Sequence, residues 1–289
     1  MNFKSLLVWL TGDKSDVVVM QSAMAVAEKV NAHVEALHVT PPLETLSPVM
    51  GEFDAGGARQ QYFEKAEKIA SDKLNDAKAV FKNGSSLGKV KQSIETPIEK
   101  SWTHVSGFDG PELSARGRLS DLIIMARPEK ENGGIDAATI EAALFETARP
   151  VMIVGQNPLA VNELKITIAW DGSREATLSI GFAVPILQLA KQVTIICIQN
   201  QKSNDDMASL KLVTSLSRYL ERHSIAVETA IRSSSKDDIS QTLLDEVHKN
   251  KSDLVVMGAY GHSQLSEYLF GGMSRSLLSD PGIGVFMAH

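Results

Sequence analysis

Two similar stretches of the sequence decide the fold: SDLIIMARP at residues 120–128 and SDLVVMGAY at residues 252–260. Both open with Ser-Asp-Leu and continue with two β-branched residues and a methionine, after which the two sequences differ. A short apolar run with polar residues before it is typical of a buried strand. The repeat therefore predicts that the chain contains two copies of one structural unit.

The starts and ends of the two copies agree as well. FKSLLVWLTGD, beginning at Phe3, and LKITIAWDGS, beginning at Leu164, are each a β-rich run that ends in a polar turn with glycine. RPVMIVG, beginning at Arg149, corresponds to IGVFMAH, beginning at Ile283, and each supplies the last apolar strand of its half. We therefore predict two domains, residues 1–156 and 160–289.

Short apolar strands alternate with amphipathic helices in both halves, which indicates a parallel sheet with helices on both faces. We predict an α/β fold of two tandem doubly wound domains, each a five-stranded, Rossmann-like parallel sheet. The first half carries an additional stretch rich in proline and glycine, residues 41–61, which we predict to be a loop. The final strand of each half would be an open sheet edge, so we expect the two halves to pair as an intramolecular pseudo-dimer.

Composition excludes several classes of function. The net charge of −6 provides no basic field for a phosphate backbone, so no nucleic acid partner is expected. The single cysteine, Cys197, rules out a disulfide within the chain. No segment reads as a signal peptide or a membrane span, so we expect a cytoplasmic protein with no membrane partner.

Glycines cluster at the predicted fourth strand and last helix of the second half: Gly258, Gly261, Gly271 and Gly272. Ligands of an open parallel sheet bind beyond the carboxyl ends of the strands. A helix N-terminus offers free N–H groups and a partial positive charge, so this end of the last helix is a candidate phosphate site. The alternative is that the glycines only form tight turns. Neither the Walker pattern nor the dinucleotide glycine triplet occurs.

The spacing of Gly258, Gly261 and Gly271 resembles the signature of the universal stress protein family: glycine, two residues, glycine, nine residues, glycine and a small hydroxyl residue. The resemblance covers the second half, whereas the first half resembles the family only in its strand pattern. It implies a tandem form in which the halves pair like a family homodimer. It also implies an adenine nucleotide, ATP with Mg²⁺, as the ligand of the second half, and a role in the stress response as a nucleotide-dependent regulator.

The resemblance assigns roles to individual residues of the second half. Base and ribose contacts fall on Ala169, Trp170, Asp171 and Ile198. Met257 and Gly258 fall beside the sugar. The phosphate contacts fall on Gly261, Gly271, Gly272, Met273 and Ser274. At Gly272 the family's nucleotide-binding members usually have a serine or threonine, so one hydroxyl contact is missing here.

The first half departs from the signature at the equivalent positions. Ala126 replaces the first glycine and Glu129 stands in place of the second. Asp136 and Glu141 add negative charge where the phosphates would lie, and carboxylates repel a triphosphate. We therefore expect the first half to bind no nucleotide and to serve in pairing.

No arrangement of residues predicts catalysis or a metal site. The histidines show no metal-binding pattern, and the serines at residues 233–235 show no nucleophile motif. His262, next to Gly261, leaves open a slow ATPase in which it or Asp171 assists a water molecule. A scaffold without a small ligand is the third hypothesis. Protein partners and a homodimer remain open from the sequence.

Overall fold

The computed structural model describes residues 2–42, 58–84, 98–128, 135–200, 206–235, 238–259 and 272–289. The first half contains nine elements: β1 (Ser5–Trp9), α1 (Asp16–Val30), β2 (His33–Thr40), α2 (Ala58–Asn83), β3 (Lys100–Ser106), α3 (Asp109–Gly117), β4 (Leu122–Met125), α4 (Ala137–Glu146) and β5 (Val151–Ile153). After a short 3-10 turn at Val161–Glu163, the second half repeats this order: β6 (Lys165–Ala169), α5 (Arg174–Leu187), β7 (Gln192–Asn200), α6 (Asp206–Arg222), β8 (Glu228–Ser234), α7 (Ile239–Lys249), β9 (Leu254–Gly258), α8 (Gly272–Ser279) and β10 (Gly284–Ala288).

All ten strands form one sheet in the order β3-β2-β1-β4-β5-β10-β9-β6-β7-β8. Within each half the strands are parallel, and the first strand lies between the second and the fourth. This strand order is that of a doubly wound sheet. The predicted fold of two tandem five-stranded parallel sheets is confirmed.

The two halves join through their last strands. β5 pairs with β10 in antiparallel orientation, and Met152 lies opposite Phe286 at the centre of the pairing. The strand edges that would otherwise be open are thereby paired, as the sequence predicted. The pairing is reinforced outside the sheet, where the Phe145 ring packs edge-on against His289 with 4.5 Å between ring centroids.

The repeated sequence explains where the core lies. The repeat segments form β4 and β9, whose residues Leu122–Met125 and Leu254–Val256 are fully buried. Strands buried on both faces need no polar alternation, which accounts for their continuous apolar runs. Burial of one such side chain contributes about 1.5–3 kcal/mol. These two strands therefore lie at the centre of the apolar core of each half.

The structure corrects the sequence prediction at some boundaries. α2 begins at Ala58, so the end of the predicted loop at residues 41–61 is helical, while residues 43–57 lie outside the described part. α2 is a polar helix of 26 residues. Across the described ranges, no helix is both long and apolar enough to cross a bilayer.

Candidate functional site

Three strands of the second half end side by side. β6 pairs with β7, with Ala169 opposite Ile196, and with β9, with Ile168 opposite Val256. The segments that follow these pairs carry Trp170, Asp171 and Ile198. The structure therefore brings the residues predicted to contact base, ribose and sugar to one edge of the sheet.

Trp170 is fixed by main-chain contacts on two sides. Its backbone N–H donates to Ile196 O at 2.9 Å, and its indole Nε1–H donates to Leu212 O of α6 at 3.2 Å. The side chain is half-buried and packs against the core together with Ala169 and Ile198. These three residues form an apolar and aromatic surface of the kind against which a planar base packs.

Asp171 is exposed and forms the turn that starts α5. Its Oδ1 accepts a hydrogen bond from Ser173 N at 2.9 Å, and Ser173 Oγ in turn accepts from Ala176 N at 3.2 Å, capping the helix. Among the described residues none donates to Asp171 Oδ2. One carboxylate oxygen is therefore held in position while the other is available to accept from a ligand hydroxyl.

Gly258 is required by the packing of the strand end against α5. A Cβ at this position would lie 2.5 Å from Ala176 N and 2.9 Å from the Cβ of Glu175. No side chain fits at such distances, so the first turn of α5 occupies the space that a side chain would need. The sequence assigned Gly258 to the sugar; the structure adds a packing constraint that holds without any ligand.

The remaining predicted residues are placed in part. Met257 is buried in the core, with 5% of its surface exposed, and Met273 packs against the core from the first turn of α8. Gly272 is the first residue of α8 and Ser274 follows in the same turn. Gly261, Gly271 and His262 lie outside the described residues, as does the side chain of Ser274.

The end of α8 is held by a residue from the first half. Arg127, which follows β4, donates from Nη1 to Leu277 O at 3.1 Å and to Leu278 O at 2.6 Å. Burial lowers the pKa of Arg127 to about 10, an effect that Asp280 partly opposes, so the side chain stays charged at neutral pH. Arg127 thus caps the helix whose first turn is the candidate phosphate site, a role that the sequence analysis missed.

In the first half a carboxylate occupies the turn after the first strand. Asp16 is fully buried, and its oxygens accept from Thr11 N at 3.0 Å, Thr11 Oγ1 at 3.2 Å and Gly12 N at 2.7 Å. Burial raises the pKa of Asp16 to about 6 despite these hydrogen bonds. The equivalent α5 position in the second half, after Asp171 and Gly172, is Ala176, which has no such group.

A second carboxylate closes the start of α4. Asp136 Oδ1 accepts from Thr139 N at 2.7 Å and from Thr139 Oγ1 at 2.5 Å, so the helix is capped by its own chain. Ala126 is buried at the end of β4, and Glu129 lies outside the described residues. Glu141 lies one turn further into α4, where burial raises its pKa.

The first half nevertheless contains a cavity of about 650 Å³ at the carboxyl ends of β1 and β2. The cavity was not apparent from the sequence, because its walls come from five separate segments. Two signals were present: a histidine, His38, inside an apolar strand, and Phe108 followed by Asp109 after a strand. In the described ranges no group of histidine, cysteine, aspartate or glutamate residues is arranged to hold a metal ion.

The chain is similar to known proteins in the sequence of its second half and in its overall fold. A model of the universal stress protein family matches residues 164–287. A universal stress protein from Archaeoglobus fulgidus DSM 4304 aligns over 99% of this chain and 97% of its own, with a TM-score of 0.66 and 16% identity. No curated protein matches the chain significantly.

Two further solved structures share the fold over the whole chain. A functionally unknown protein from Pseudomonas aeruginosa PAO1 has a TM-score of 0.59 and 14% identity, with 98% of this chain and 92% of that protein covered. The cytoplasmic domain of a prokaryotic cation chloride cotransporter has a TM-score of 0.52 and 11% identity, with 99% and 95% covered. At these identities the likeness concerns the fold alone.

Proposed function

We propose that the second half binds one adenine nucleotide, ATP with Mg²⁺, because a model of the universal stress protein family matches residues 164–287 and the whole chain shares its fold with a universal stress protein. In this proposal the protein is a nucleotide-dependent regulator of the stress response. The first half binds no nucleotide and pairs with the second through β5 and β10.

The observation that carries the proposal is the difference between the starts of two equivalent helices. α4 is capped by Asp136, whose carboxylate accepts from Thr139 N. The residue before α8 is Gly271, which has no side chain to accept from the helix start, and the first turn of α8 contains no acidic residue. The N–H groups at a helix start favour an anion, and a carboxylate already in that place removes this preference. Of these two helices, α8 therefore has the start that favours a phosphate.

The edge formed by β6, β7 and β9 supplies the rest of the site. Ala169, Trp170 and Ile198 provide an apolar surface for the base, and the free Asp171 Oδ2 accepts from a ribose hydroxyl. Met257 and Gly258 lie beside the sugar. The phosphates are assigned to Gly261, Gly271, Gly272, Met273 and Ser274. Mg²⁺ would neutralise charge on the phosphate oxygens.

A regulatory role requires that occupancy of the site reach another surface. Arg127 of the first half caps the C-terminal end of α8, and β10, which follows α8, pairs with β5. Nucleotide binding at the start of α8 would therefore act on contacts at the junction of the halves. This junction is the surface at which we expect the nucleotide to alter binding of a protein partner.

The proposal is tested by calorimetric titration of ATP with Mg²⁺ into wild-type protein and into Gly261→Glu and Gly271→Asp variants. Each substitution places a carboxylate among the proposed phosphate contacts, so binding should be lost. Wild-type protein should gain about 2.7 kcal/mol of stability at a nucleotide concentration a hundredfold above Kd, and the variants should gain none. Thermal melts without nucleotide establish that the variants fold.

A gain-of-function variant checks the placement of the phosphates. Gly272→Ser restores the hydroxyl found in nucleotide-binding relatives, and a hydrogen bond to a charged group contributes about 1.5–3 kcal/mol. ATP should bind this variant more tightly than wild type. Unchanged or weaker affinity would show that the phosphates lie elsewhere.

A further inference from the structure

The cavity of the first half lies between the two helical layers at the ends of β1 and β2. One wall is α2, and the opposite wall is formed by the starts of α3 and α4. Its volume of about 650 Å³ falls within the range of ligand pockets, roughly 300–1,000 Å³. Its position is the one at which doubly wound sheets bind their ligands.

Large apolar side chains around this cavity remain exposed to solvent. Tyr62 is 43% exposed, Ile69 49% and Phe108 55%, and all three line the cavity. Single exposed apolar residues are common, but three that converge on one concave space mark a binding surface. The walls therefore favour a ligand with an apolar or aromatic body.

His38 offers this space a hydrogen-bond acceptor. The residue is 3% exposed, and its Nδ1–H donates to Leu10 O at 2.8 Å. Since the carbonyl oxygen can only accept, the proton is on Nδ1. Burial lowers the pKa of His38, which keeps the ring neutral and leaves Nε2 as an acceptor. Across the described residues, none donates a hydrogen bond to Nε2. Because His38 lines the cavity, a ligand donor that enters it can complete the hydrogen bonding of this nitrogen.

Two carboxylates and one ammonium group are the charged groups of the cavity lining. Asp109 and Asp136 line the same wall, and Asp109 remains accessible to solvent. Reduced hydration and the nearby charge of Asp136 raise the pKa of Asp109 to about 6. The cation of the lining, Lys73, has its ammonium 3.3 Å from Asp13 Oδ2. A carboxylate stands at the start of each of the two helices, so neither favours an anion.

We propose that this cavity is a binding site for a small aromatic amine. The ammonium group lies against Asp109 and Asp136, the aromatic body packs against Tyr62, Ile69 and Phe108, and a second N–H or O–H of the ligand donates to His38 Nε2. The inference does not rest on the nucleotide site of the second half, because every contact belongs to the first.

Three indole probes of matched shape test the proposal on the full chain at pH 7.5, by calorimetry. Tryptamine carries the cation and an indole N–H, tryptophol replaces the cation with a neutral hydroxyl, and indole-3-propionate replaces it with an anion. Tryptamine should bind at least tenfold more tightly than tryptophol, and indole-3-propionate should bind most weakly. Methylation of the indole nitrogen of tryptamine removes the donor to His38 and should weaken binding.

Three variants test whether tryptamine binds in this cavity. Asp109→Asn should weaken tryptamine binding toward the level of tryptophol, with Asp136 keeping part of the attraction. Glu141→Gln, a matched loss of one acid on α4 outside the cavity, should leave it unchanged. Ala70→Trp fills the cavity and should abolish binding, with circular dichroism showing that the fold is kept. The proposal is overturned if tryptamine does not bind, if it binds no better than tryptophol, or if Asp109→Asn and Ala70→Trp leave its affinity unaltered.

Discussion

At the scale of single residues, Gly258 is required by packing against α5, whether or not a ligand is bound. Its absent Cβ would lie 2.5 Å from Ala176 N, which is backbone and cannot move aside. We predict that Gly258→Ala destabilises the folded chain by about 1–3 kcal/mol, as overpacking does. Gly181→Ala in α5 is the control, since no atom lies within 4 Å of its Cβ and helix propensity should stabilise it by about 0.5–1 kcal/mol. The urea denaturation midpoint should fall for Gly258→Ala and rise for Gly181→Ala, relative to wild type. A midpoint of Gly258→Ala equal to that of wild type would refute the packing role.

Asp16 gives stability an unusual dependence on pH. Its pKa is raised from 3.8 to about 6 by burial, so between those values the folded chain holds a proton that the unfolded chain has lost. This contribution is fully present below pH 3.8 and is lost as the pH rises through 6, with a magnitude of up to about 3 kcal/mol.

We predict that Asp16→Asn removes this part of the pH dependence. Unfolding free energies of wild type and variant should be measured from pH 4 to pH 7. The stability of wild type relative to the variant should fall as the pH rises across this range. Asp109 titrates in the same window in both proteins, so the difference isolates Asp16. The control Asp245→Asn, at an exposed position of α7, should run parallel to wild type. A parallel curve for Asp16→Asn would contradict the raised pKa.

At the scale of elements, α8 depends on the first half for its C-terminal cap. We predict that Arg127→Ala speeds amide hydrogen exchange in α8 at least tenfold, because two hydrogen bonds from a charged group are lost. Arg118→Ala is the matched control: its exposed side chain donates to Glu146 O at the end of α4. Exchange in α4 should change much less, because exposed contacts contribute little. Unchanged exchange in α8 would show that Arg127 is not its cap.

Helices and strands could be predicted from the sequence where the local hydrophobic pattern agrees with the packing of the folded chain. The repeated apolar runs became β4 and β9, and the alternation of strands and helices gave the parallel order of each half. The start of α2 was not predictable, because the helix is polar and follows a proline- and glycine-rich stretch. The reason for Gly258 and the cavity of the first half also escaped prediction, because each depends on residues distant in sequence. The resemblance to the family assigned Trp170, Asp171 and Ile198 to one site, and the strand order brings them to one edge of the sheet.

At the scale of the whole molecule, each half protects the other's edge strand. We predict that residues 1–156 expressed alone associate or fail to fold cooperatively, because β5 then presents its unpaired backbone groups to solvent. Sedimentation and thermal melts would detect this. A soluble, monomeric and cooperatively folding fragment would contradict a structural need for the β5–β10 pairing.

The central claim is that two halves of one fold differ in what they bind. α4 of the first half is capped by Asp136, whereas the residue before α8 in the second half is Gly271 and the first turn of α8 contains no acid. The most direct test is the stoichiometry of ATP with Mg²⁺ on the full chain, measured by native mass spectrometry. We predict one nucleotide per chain, and none in Gly261→Glu. Two equivalent nucleotides per chain, or one that persists in Gly261→Glu, would contradict the account.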